Sequence, residues 1–77
     1  MSNNLVDVLL HTDENTTHEL REMLREKFLQ LTGVNAASYH DEKPHLMIIV
    51  YDPEIVKANE FTRIAQDNGL HAQLVGL

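Results

Sequence analysis

The sequence predicts a single α+β domain with the element order βαββαβ. Two observations carry this: four short runs rich in apolar and β-branched residues, and two intervening stretches whose apolar residues recur at helical spacing. A third bounds the size. Its 77 residues can close one core but not two, so residues 1–77 form one domain. Hydrophobic residues at 43% and charged residues at 23% give the balance of a folded chain.

Leu5–His11 (LVDVLLH) reads as the first strand, followed by a polar stretch at Asp13–Thr17. Thr16-Thr17-His18-Glu19 has the pattern of a capping box, with the Thr16 hydroxyl and the Glu19 carboxylate serving free amides at a helix start. Leu20, Leu24, Phe28 and Leu31 then form one helical stripe, Leu29 points away from it, and Gly33 stops the helix. Val34–His40 is a weaker strand, and His40–Pro44 a charged hairpin loop in which Pro44 blocks regular pairing. His45–Tyr51 (HLMIIVY) is the clearest strand in the chain. Asp52-Pro53-Glu54 has the pattern that opens a helix, with Asp52 as N-cap and Pro53 in the first position. Ile55, Ala58, Phe61, Thr62, Ile64 and Ala65 give that helix an inner face, and Asn68-Gly69 ends it. Leu70–Leu77 closes the chain as a strand.

Two helices on one face of a four-stranded antiparallel sheet, in spatial order 4-1-3-2, is the ferredoxin-like arrangement. A core this small is expected to leave a net stability of only a few kcal/mol.

Composition removes whole classes of function. Without cysteine there is no disulfide, no thiolate metal site and no thiol nucleophile. The net charge of −6 argues against nucleic acid and anionic membranes as partners. Asp7 breaks the short apolar run at the N-terminus, which is neither signal peptide nor membrane span, so the cytoplasm is the default location. Ser38 lacks the context of an activated nucleophile, and three glycines make no phosphate loop. The expectation is a non-enzyme with no small-molecule substrate.

Gly33-Val34 after the first helix, Tyr51-Asp52-Pro53 after the third strand, and Gly69-Leu70 with Ala72-x-Leu74-Val75 at the end resemble the heavy-metal-associated domain. That family comprises copper chaperones and the soluble metal domains of metal-pumping ATPases, and the likeness spans nearly the whole chain. The resemblance implies a Met-x-Cys-x-x-Cys motif between the first strand and first helix, where two thiolates hold a soft ion such as Cu(I). Counting back from Gly33 puts the cysteines at Thr17 and Leu20 and the methionine at Asn15; a shift of one turn puts the cysteines at Asp13 and Thr16. In either register both thiolates are missing.

Three features remain. The topology sends His11, His18, His40, His45 and His71 to one pole of the fold, with Asp13, Glu14, Asp41 and Glu42. Imidazoles beside carboxylates suit a borderline divalent ion (Zn, Ni, Cu or Co), with His11 paired to His18 or His71; the same residues also read as solvated or capping groups. Alternation sends Val6, Val8, Leu10, Met47, Ile49, Ala72 and Leu74 toward the helices. It leaves Leu5, Asp7, Leu9, Leu46, Ile48, Val50 and Val75 on the open face. Leu9, Leu46, Ile48 and Val50 form a contiguous patch there, read either as an interface or as ordinary strand composition. Finally, the acidic excess reads as solubility or as a surface for a basic partner. The leading expectation is a cysteine-free binding module, its metal role carried by the polar pole. The alternative is a metal-independent module that docks a protein partner or a second copy through the sheet.

Overall fold

The computed structural model describes residues 4–76. Its elements are β1 (Val6–Thr12), α1 (His18–Gln30), β2 (Val34–Ser38), β3 (Leu46–Tyr51), α2 (Asn59–Asp67) and β4 (Ala72–Gly76). Leu77, expected to end the last strand, lies outside the described residues. The sheet is antiparallel in the order β2-β3-β1-β4, the ferredoxin-like order expected from the sequence. Among the described residues no helix is long and apolar enough to cross a membrane.

The two-residue alternation of the central strands builds the core. Val8 and Leu10 of β1 and Met47, Ile49 and Tyr51 of β3 are buried under the helices. Leu24 and Phe28 of α1 and Phe61 and Ala65 of α2 cover them. Phe61 joins the layers, meeting Phe28 edge to face at 5.6 Å and Tyr51 at 4.9 Å. Each fully buried phenylalanine contributes roughly 1.5–3 kcal/mol over leaving it exposed. Val6, expected among the inward residues, is exposed at the strand's first position.

Three local expectations are corrected. The cap of α1 is Thr17, whose side chain accepts from the Leu20 amide at 3.1 Å, whereas the Thr16 hydroxyl donates across the pole to the Pro44 carbonyl. Asp52-Pro53 does not open α2. Asp52 is buried, its Oδ1 accepts from the Glu54 amide at 2.9 Å, and its carbonyl accepts from the Ile55 and Val56 amides. That closes a separate turn, for which proline and an Asp acceptor are equally suited. The turn buries Val56 and leaves Ile55 57% exposed, reversing its expected place on the inner face. The helix proper starts at Asn59, from Ala58, which makes no side-chain cap.

Gly33 is where this turn meets the end of α1. Its φ is +102°, and its carbonyl accepts from the Asp52 amide at 2.8 Å. The helix itself ends three residues earlier at Gln30.

Candidate functional site

Three connections meet at one pole: β1 to α1, β2 to β3, and α2 to β4. Backbone hydrogen bonds tie them together, Thr12 N to His45 O at 2.9 Å, Asp13 N to His71 O at 2.9 Å and Thr16 N to Pro44 O at 3.0 Å. The two positions where the resemblance implies thiolates lie at the start of α1. Thr17 is committed to capping, and Leu20 is half-buried and packed on the core. A hydroxyl and an isobutyl group are no ligands for a soft ion, so the residues present do not fit one. Asp13 and Thr16, the other register, offer only oxygen.

A cation occupies the middle of this pole instead. The Arg21 side chain is only 4% exposed. Its Nη1 donates to the Thr16 carbonyl and, at 2.9 Å, to the Thr16 hydroxyl, while Nη2 donates to Asp41 Oδ1 at 2.9 Å. The guanidinium lies 5.4 Å from the centre of the Tyr39 ring, and its Nε is buried without a hydrogen-bond partner. Arg21 thus fastens the loop before α1 to the β2–β3 loop. A sequence signal for it exists: Arg21 stands three residues before Leu24 and seven before Phe28, on the stripe that faces the core.

The histidines reach this pole in separate pairs. His18 Nδ1 lies 2.9 Å from Asp41 Oδ1, a contact that raises the imidazole above its ordinary 6.5 and, with the Arg21 contact second, lowers the Asp41 carboxyl. His71 Nδ1 lies 2.6 Å from Glu14 Oε2, and its backbone amide donates to Oε1 at 3.0 Å. That hydrogen bond raises His71 and lowers Glu14. His40 sits 3.8 Å from Glu42, with both side chains exposed. His11 meets neither His18 nor His71. Its ring packs against His45, centroids 5.3 Å apart, because the Thr12–His45 backbone bond draws the loop across the end of β1. Among the described residues no three His, Cys, Asp or Glu are grouped to hold a metal.

The other candidate surface is the sheet face without helices. In register, Leu9 lies between Ile48 of β3 and Val75 of β4, Leu46 pairs with His11, and Val50 pairs with Asp7. Leu9, Leu46, Ile48 and Val50 are half-buried, and Val75 is 49% exposed. Leu9, Leu46 and Ile48 also line a groove together with Tyr39, His40 and Lys43.

No protein-family model matches the chain, and no curated protein does. Solved structures do. The putative copper-ion-binding protein from Bacillus anthracis str. Ames superposes with a TM-score of 0.81 at 15% identity, covering 94% of this chain and 100% of that one. Oxidized MerP from Ralstonia metallidurans CH34 gives 0.78 at 14% identity, covering 91% and 96%. The yeast copper transporter domain Ccc2a gives 0.78 at 20% identity, covering 92% and 96%. Likeness at these identities speaks for architecture alone. The chain has the ferredoxin-like βαββαβ fold of the heavy-metal-associated domains, the fold its motif spacing implies.

Proposed function

We propose that the chain is a non-catalytic binding module on a heavy-metal-associated scaffold, and that it docks a second copy of itself through the open face of its sheet. One observation carries this reading: the outward positions of β3, Leu46, Ile48 and Val50, are all apolar and have Leu9 of β1 beside them, where a solvated strand would alternate to polar residues. Among the outward positions of β1 and β3 only Asp7 is a carboxylate, which suits apolar pairing with a second copy better than a charged partner. The pole contributes structure. A permanent cation, Arg21, stands beside Thr17 and Leu20, the positions where the resemblance implies thiolates, so soft-metal transfer is not part of this module's work.

Sedimentation equilibrium over a wide concentration range tests it. The expected result is a reversible dimer that Ile48→Glu abolishes without changing the far-UV circular dichroism. A wild type that stays monomeric at the highest soluble concentration would remove the reading. A second reading, capture of a borderline divalent ion by imidazoles, is favoured by the His11–His45 pair and is developed below.

A further inference from the structure

His11 and His45 stand apart from the other histidines. Among the described residues neither ring has a carboxylate or hydrogen-bond partner; each has only the other imidazole, at 5.3 Å between centroids. Two imidazoles bound to one tetrahedral divalent ion, with metal–nitrogen lengths of about 2.0–2.1 Å, have centroids about 5 Å apart. The pair therefore has the spacing of half a coordination shell. Among the described residues no third ligand from the same chain stands with it.

Its position suggests where the other half comes from. His11 points outward from β1, in the same row as Leu46 and Gln73, at the polar end of the apolar patch. β1 and β3 are the two middle strands, and His45 is the loop residue just before β3, its ring held against that of His11, so the pair lies at the end of the sheet near its midline. Sheets packed face to face sit about 10 Å apart, and imidazoles rising from both meet near the midplane. A two-fold axis running along the strands between two such sheets superimposes the apolar patches and brings both histidine pairs to the same end.

The size of the face gives a reason for such a clamp. Four strands about 4.8 Å apart and about six residues long at ~3.3 Å per residue make a face of about 400 Å². Two copies then bury on the order of 800 Å², short of the roughly 1,200–2,000 Å² of a stable interface. Each chain also carries −6, and Asp7 adds a carboxylate to the far end of the face. Apolar pairing alone gives a weak dimer of self-repelling chains, which a shared cation would both cross-link and partly neutralise.

We infer that His11 and His45 form a two-histidine half-site for a borderline divalent cation such as Zn(II), completed by the same pair of a second copy docked on the open sheet face. This inference rests on the docking reading above and names what stabilises that docking. Neutral imidazole is the right donor for such ions, and four imidazoles satisfy the tetrahedral preference of Zn(II) without a thiolate.

The test adds zinc chloride alone to the full chain, with sedimentation velocity and titration calorimetry as readouts. The expected result is one Zn(II) per two chains, dimerisation tightened by at least about tenfold, and reversal by EDTA. Co(II) in its place should give the intense visible bands of a tetrahedral ion. His11→Ala and His45→Gln should each lose the zinc effect, while His40→Ala and His71→Ala keep it. Zinc bound one to one by a chain that stays monomeric overturns the shared site and the docking reading together. Dimerisation indifferent to zinc and to His11→Ala overturns the shared site alone and leaves docking standing. Tightening that is lost in His71→Ala but kept in His11→Ala overturns the assignment to this pair.

Discussion

Gly33 and Gly69 both adopt positive φ, +102° and +82°, yet they differ in what surrounds them. A Cβ at Gly33 would lie 2.8 Å from Ile55 Cγ2, 2.9 Å from Ile55 Cβ and 3.0 Å from Val56 Cγ1. Rotation of the Ile55 side chain cannot relieve the contact with its own Cβ, so the turn closed by Asp52 would have to move. A Cβ at Gly69 meets nothing within 4 Å. Gly69→Ala should therefore cost only the backbone penalty, about 1 kcal/mol. Gly33→Ala should cost about 2–3 kcal/mol, because a shift of the packed turn is added. Urea unfolding of the two variants decides this, and equal losses would show that the approach of Ile55 and Val56 carries no energy. Sequence alone reveals that a glycine follows the first helix; it reveals neither that the helix stops at Gln30 nor which chain segment lies against the glycine. Arg21 teaches the same lesson from the other side. Its stem lies on the Leu24–Phe28 stripe, and its charge is taken up by Asp41 of the β2–β3 loop, a partner that no spacing within α1 announces.

At the scale of elements, strands and order are legible in the sequence because period-two alternation and buried β-branched runs leave little choice of register. Helix starts are harder to read, because several local structures share the same residues. Asp52-Pro53 satisfies the rules of a helix N-terminus and of a turn alike, and what selects the turn is non-local: the Asp52 amide is already bound to the Gly33 carbonyl. Thr16 and Thr17 are equally good caps in isolation, and Thr16 is drawn away by Pro44. The Asp52 carboxylate is nearly inaccessible and accepts from the Glu54 amide, so Asp52→Ala should destabilise the protein by about 1–2 kcal/mol. Since α2 begins at Asn59, helical circular dichroism under native conditions should not change. A loss of helical signal in the folded variant would mean that Asp52 caps α2 after all. The histidine pole follows the same division. Topology alone brings the five imidazoles to one end, but their pairing follows from which loop bonds to which, and no spacing in the sequence encodes that.

For the whole molecule, the polar pairs at this pole set a pH window of stability. His18 and His71 are raised above 6.5 by their hydrogen bonds to Asp41 and Glu14. A raised imidazole contributes stability that is complete below 6.5 and lost as pH rises through the folded value. Asp41 and Glu14 are lowered from 3.8 and 4.5, so their contribution is complete above those values and lost as pH falls through the folded ones. The stabilisation from both ion pairs is therefore complete between 4.5 and 6.5, and it fades outside that window as pH passes the lowered carboxyl or raised imidazole values. Net charge acts in the same direction, since protonating His18 and His71 offsets part of the −6 and relieves self-repulsion. His18, Asp41 and His71 are exposed and Glu14 lies at the edge of exposure, so solvent screens each pair and the effect should be modest. The urea midpoint should peak in the mildly acidic range and decline between about pH 6 and about pH 8. The double variant His18→Ala/His71→Ala should flatten that alkaline limb, whereas His40→Ala, whose ring lies 3.8 Å from an exposed Glu42, should leave its shape intact. A wild-type midpoint that stays level across neutrality would mean that these loop contacts add nothing to folding, leaving Arg21 to hold the pole together.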